Sequence, residues 1–285
     1  MNLRPLALRI AILLVAAAVV SPRFLAAQNA PPNSAASEQQ NVEAALQETS
    51  AAAARYDFQT LDDDRPLVLR QQPILRWSNP EVGQIYGNVF LWTQGGRPRI
   101  IGSLFRWFSP HTHTSHEFQS LSTTPVTGSS DGASPWKTSD PGVVFAPVPE
   151  AGDVAEEAAR RLLQMRELAR QFAVQSTDRE GQKFELRRLA QPVYRYEVEQ
   201  TTTDLVDGAL FAFVRGTDPE TWLLLEARRT DSGSAIRWEY ALARMNSIAF
   251  SATHKGRQVW QCEVMPFPEV GAHESTYTSF LFRRP

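Results

Sequence analysis

The chain has 285 residues, 29 basic and 31 acidic side chains, a formal net charge of -2, 42% apolar residues and one cysteine. A mildly acidic chain without a basic patch is a poor nucleic-acid binder, and Cys262, alone and flanked by Trp260 and Val264 at a strand-like position, cannot form an internal disulfide. The length suits two domains of ordinary size or one larger pseudo-symmetric body with a shared core.

Residues 1-27 read as a secretory signal peptide: Arg4 and Arg9 make a basic start, Ile10 to Val20 an apolar run, and Leu25-Ala26-Ala27 offers small residues for cleavage before Gln28. The run is too short to span a bilayer comfortably, so no integral membrane domain is expected after cleavage. The alternative is an uncleaved anchor, because Pro22-Arg23 interrupts the approach to the cleavage site. The expected location is periplasm, cell envelope or extracellular space. Loss of Arg4, Arg9 and Arg23 with the leader leaves 26 basic against 31 acidic residues, a net charge of -5.

Residues 28-36 are rich in Pro, Asn, Ala and Ser and read as a flexible linker. Ser37 with Gln40 makes a capping-box pattern, and Val42, Leu46, Thr49, Ala53 and Tyr56 recur at helical spacing. Extended segments follow near 66-70, 74-78, 84-93, 99-108 and 114-122, with a weaker one towards Ser129. A second helix is predicted from Asp153 and Glu156, with Ala158, Leu162, Met165, Ala169 and Phe172 as its stripe. Strands are then expected near 184-189, 193-199, 205-215, 221-230, 236-245, 248-253 and 258-264, with a last one at 277-282. Short connections imply antiparallel neighbours.

The two stretches echo each other. QPILRW (Gln72 to Trp77) returns as QPVYRY (Gln191 to Tyr196), Gly87 falls opposite Gly208, Trp92 opposite Phe213 and Gly95 opposite Gly216. His116-Glu117-Phe118 meets Trp238-Glu239-Tyr240, the turn Asp131-Gly132 meets Lys255-Gly256, and Trp136 meets Trp260. The expected fold is therefore α+β: two internal repeats, 37-152 and 153-285, each one helix followed by an antiparallel β-meander, packed as a pseudo-symmetric pair. Regular pairing across the Gly95-Gly96 turn puts Tyr86, Phe90 and Trp92 with Ile101, Phe105 and Trp107 on one face, and Val89, Leu91, Ile100 and Leu104 on the other. In the second stretch Phe211, Phe213 and Trp222 share a face opposite Leu210, Ala212, Leu223 and Leu225. Two apolar faces call for cover on both sides.

One constellation resembles chemistry: Ser109-Pro-His111-Thr-His113-Thr-Ser115-His116-Glu117. Its His-x-His-x-x-His spacing is similar to the metal-binding loop of metallo-β-lactamase-type hydrolases, in which a bound metal makes hydroxide near neutral pH. The resemblance implies His111, His113 and His116 as zinc ligands with Glu117 as fourth ligand or base, and His254 or His273 could join only if the fold brings them near. It departs from that family at Ser115, where the family has an aspartate, and in lacking the alternating strand and helix framework. The competing expectation is packing: His116 aligns with Trp238, and Glu117 and Glu239 can pair with Arg76 and Arg195. No Gly-x-Ser-x-Gly elbow, phosphate loop or dinucleotide fingerprint appears, and the seven tryptophans lie mostly at alternating strand positions, as core residues do.

The order QPILRWSNP, YGNVFLWTQGGRPRIIGSLFRWF, HEFQSLS, then DGALFAFVRGTDPE and YALARM, resembles a group of uncharacterised exported proteins of planctomycete bacteria. That resemblance implies export and assigns no activity. The expected function is an exported, non-catalytic binding or interaction protein with an envelope or extracellular ligand and no cofactor. The alternative is a metal-dependent hydrolase using His111, His113, His116 and Glu117.

Overall fold

The computed structural model describes residues 32-63, 65-130, 136-198, 204-230 and 235-283. The expected leader, the first four linker residues, the turn Asp131-Gly132 and the loop Asp231 to Ser234 lie outside the described residues. Two units are distinguished, the first ending at Gln40 and the second running Asn41–Pro285.

In chain order the elements are α1 (Pro32–Ala53), β1 (Tyr56–Thr60), β2 (Val68–Leu69), β3 (Leu75–Ser78), β4 (Gln84–Gln94), β5 (Arg97–Ser109), β6 (His113–Ser120), β7 (Val126–Ser130), β8 (Trp136–Lys137) and β9 (Ala146–Pro147). Then follow α2 (Ala158–Arg170), β10 (Phe172–Thr177), β11 (Lys183–Arg188), β12 (Tyr194–Arg195), β13 (Leu205–Arg215), β14 (Asp218–Arg229), β15 (Ile236–Arg244), β16 (Ala249–His254), β17 (Arg257–Cys262), α3 (Phe267–Val270) and β18 (Tyr277–Arg283). α1 starts at Pro32, so residues read as linker are helical.

The expected α+β pair of helix-plus-meander repeats is not what the chain forms. Among the described residues strand makes up 50% and helix 15%, and the large antiparallel sheets include a half-barrel. Two causes are visible. First, the helices end before the last residues of their expected stripes: Tyr56 and Phe172 open β1 and β10, whose residues alternate between buried and exposed or half-buried positions. Second, neither stretch closes on itself. β18, at the end of the chain, pairs with β6, and β9, from the middle of the chain, pairs with β15. Each exchanged strand covers backbone groups that would otherwise line an open edge.

The resulting sheets have the orders β18-β6-β5-β4-β2 with β3 beside β4, β17-β16-β10-β11-β13-β14-β15-β9 with β12 beside β13, and β1-β7-β8. A seam of apolar side chains lies between the first two. Trp77, Val89, Leu91, Ile101 and Phe105 from one meet Tyr194, Tyr196, Leu210, Trp222 and Leu224 from the other. The outer face of the six-stranded sheet packs Phe90, Trp92 and Phe118 under β1 and β7. The outer face around β13 and β14 packs Phe211, Phe213 and Leu223 with Met165 and Leu168 of α2.

The membership of these faces corrects the alternation expected from regular pairing. Trp92 lies opposite Ile100, with a register shift between Trp92 and Thr93. The extra residue, Arg99, is a bulge that moves the following residues of β5, as far as Trp107, to the other face. Ile101 and Phe105 therefore join Val89 and Leu91. β14 does the same: a shift between Phe213 and Val214 leaves Glu220 as the extra residue and sends Trp222 to the seam, away from Phe211 and Phe213.

Candidate functional site

The four residues of the expected metal cluster are not brought together. His116 is buried on the outer face, its Nδ1 2.7 Å from the Tyr56 hydroxyl and its ring 4.5 Å from that of Phe282. Burial, aided by the Arg55 charge, pushes its pKa down to about 4. Glu117 is the next residue along β6, so its side chain emerges on the opposite face. His113 shares the face of Glu117 but stands four residues away, about 13 Å along the strand. His111 and His113 pack beside Trp107, with ring centroids 5.9 Å apart. His254 bonds Gln171 at 3.0 Å and His273 lies by Phe280, so neither completes the set. Among the described residues no group of three or more His, Cys, Asp or Glu side chains is arranged to hold a metal ion. Glu239 meets Arg237 and Arg228, and Arg195 meets Asp207, which replaces the expected Glu239 to Arg195 pair.

The chemistry-bearing side chains that do converge lie in the seam between the sheets. At one end, Arg97 grips Glu226 through two bonds of 2.9 Å, both side chains buried. Arg228 lies 3.9 Å from Glu226, 3.6 Å from Glu239 and 2.5 Å from Asp204. Arg97 and Arg228 both stand over the Phe145 ring, at 5.1 and 5.7 Å. Desolvation pushes Glu226 up and the guanidinium of Arg97 opposes it, so charge is compensated at this end.

The other end is acidic. Glu117 of β6 faces Asp218 and the bulge residue Glu220 of β14. Glu220 is 6% exposed and its Oε2 has no hydrogen-bond partner among the described residues; Glu117 and Asp218 are half-buried. Tyr277 of β18 hydrogen-bonds Glu117, Asn79 bonds Asp218 and Asn246 bonds Glu220. Burial raises Glu117 to about 8, with repulsion from Glu220 adding to it, and raises Glu220 to about 7. Burial, then repulsion from Glu220 and Glu117, holds Asp218 well above the usual carboxylate range. Of the nearby guanidiniums, Arg215 stands 3.7 Å over the Phe184 ring, and Arg244 donates through one terminal nitrogen to the carbonyls of Ile248 and Glu263 at 2.6 Å each, while its Nε is buried without a hydrogen-bond partner among the described residues.

Local sequence explains this placement. Gly95 and Gly96, at φ 56° and 76°, make the tight turn between β4 and β5 and deliver Arg97 and Arg99 into one end of the seam. Gly216, at φ 63°, with Thr217 makes the turn between β13 and β14 and delivers Asp218 and Glu220 into the other. Thr217 is fixed there by donating to the Ser78 carbonyl at 2.6 Å and accepting from its N–H at 3.0 Å.

Of the three carboxyls only Glu117 is a sequence-predicted site residue; Asp218 and Glu220 fall in the gap between the strands expected at 205-215 and 221-230. The legible signal is in WLLLE, where Glu226 alternates in phase with Trp222 and Leu224 and so shares their face; Asp218 and Glu220 lie before and at the bulge, which breaks that alternation. Carboxyls of raised pKa that face one another stay protonated near neutrality and act as hydrogen-bond donors or proton stores.

No protein-family model matches the chain, and neither does any curated protein or solved structure. Among the described residues no helix is long and apolar enough to cross a membrane.

Proposed function

We propose that the protein is an exported, non-catalytic interaction protein of the cell envelope or periplasm, which offers strand β18 to an extended segment of an envelope partner. The observation that carries this reading is the position of β18: it is the outermost strand of its sheet, and its Leu281 and Phe282 are 55% and 41% exposed. An edge strand can accept one more strand through its backbone, with neighbouring side chains supplying selectivity. The reading draws its cellular location from the leader-like residues 1-27 and from the resemblance to exported planctomycete proteins.

The test expresses the full chain with its leader and follows both its N-terminus and its fractionation. Mass spectrometry is expected to find exported protein beginning at Gln28. The wild type is expected to sediment with envelope fractions and a Leu281→Asp/Phe282→Asp variant of unchanged circular dichroism to be released. Equal sedimentation of the two, or retention of the intact leader in the cytoplasm, overturns the proposal.

A further inference from the structure

The acidic end of the seam differs from its counterpart in one physical respect. At the Arg97 end each buried acid meets a guanidinium, whereas Glu117, Asp218 and Glu220 meet one another, Tyr277 and two asparagine amides. One oxygen of Glu220 is buried without a hydrogen-bond partner among the described residues. These groups come from separate parts of the fold: Glu117 from β6, Tyr277 from β18, Asp218 and Glu220 from β14. We infer that this cluster is a proton-operated clasp, which holds β6 and β18 against the β14 bulge while its carboxyls are neutral and loosens that end of the seam when they ionise.

The balance of groups around the cluster supports the direction. The charged and titratable groups facing it are Arg215 from β13, Arg244 from β15 and the phenol of Tyr277 from β18. Both arginines carry positive charge, but burial outweighs the attraction of Arg215 at Asp218 and Glu220. Ionising three facing carboxyls in a partly desolvated seam adds like charge without a new counter-ion. The sign follows by linkage: Glu117 at about 8 and Glu220 at about 7 lie above their ordinary 4.5, so the folded chain binds more protons than the unfolded chain between those values. Their contribution is complete below about pH 4.5 and is lost as pH rises through 7 to 8. Tyr277, raised well above its ordinary value by burial and by Glu117, stays protonated throughout this window.

The test is amide hydrogen exchange of the wild type and of a Glu117→Gln/Glu220→Gln variant from pH 5.5 to 9, corrected for intrinsic exchange, with Asp218→Asn as a second variant. The wild type is expected to lose at least tenfold protection in β18 and in β14 near the bulge between pH 6 and 9, while β10 and β16 keep theirs. The double variant is expected to hold protection constant to within twofold. A wild-type loss spread evenly over all strands, no loss at all, or the same loss in both variants overturns the clasp.

Discussion

At the scale of single residues, the two ends of the seam show how the company of a carboxylate decides its effect. Glu226 is fully buried, and Arg97 supplies both of its short bonds, while Arg228 is 3.9 Å away. Removing the partner leaves a charge in the seam, whereas removing both leaves only a shape to fill. Arg97→Met is expected to destabilise the protein by about 3 kcal/mol, and Arg97→Met/Glu226→Leu is expected to recover most of that loss. Urea unfolding midpoints at pH 6 check both; a double variant no better than the single one would show that the pair contributes more than its own compensation. His116 illustrates the same dependence on company. Its spacing from His111 and His113 is real in the sequence, but strand geometry turns it to the Tyr56 side and Glu117 to the seam. Spacing along a chain fixes a metal site only when the secondary structure is known.

At the scale of elements, close approach of aromatic rings to glycines sets the sheet faces. The Trp77 indole lies across Gly87, where a Cβ would fall 2.1 Å from the ring, and Tyr196 lies across Gly208, where it would fall 2.4 Å away. The QPILRW and QPVYRY segments therefore place an aromatic cover on a bare strand position. Gly87→Ala is expected to lower stability by about 2 kcal/mol or more, through displacement of Trp77 from its bond to Ser103. Gly152→Ala, with no atom of the described residues within 4 Å of the added Cβ, is the matched control and is expected to change little. Thermal unfolding of the pair decides it. Much of this level was legible. The hairpins at 84-109 and 205-229 follow from alternation and turn glycines, and two apolar faces required cover on both sides. The bulges at Arg99 and Glu220 were not legible, because a single extra residue leaves the composition unchanged while exchanging the faces of the residues that follow it. The short strands β8 and β9, of two residues each, carry no periodic signal of their own.

At the scale of the whole molecule, within the unit Asn41–Pro285, strand exchange makes the two stretches depend on each other. Residues 37-152 lack β18, so β6 would present an unpaired edge, with Glu117 and the apolar seam of Trp77, Leu91 and Phe105 in water. Residues 153-285 lack β9 and Phe145, which stands against Arg228, and would expose Tyr194, Leu210, Trp222 and Leu224. Burial of each large apolar side chain is worth about 1.5–3 kcal/mol, so losing the seam exceeds the whole stability margin of an ordinary domain. Neither segment is expected to fold alone; each should bind a hydrophobic dye and lack a cooperative transition. Produced together, they are expected to associate one to one and regain cooperative unfolding, because the exchanged strands then find their sheets. Size-exclusion chromatography with multi-angle scattering and a thermal scan read both outcomes. A cooperative transition in isolated 153-285 would mean that α2 and its outer-face core suffice without the seam. That result would also detach the Glu117 clasp from folding, since β14 would be held in place without β6.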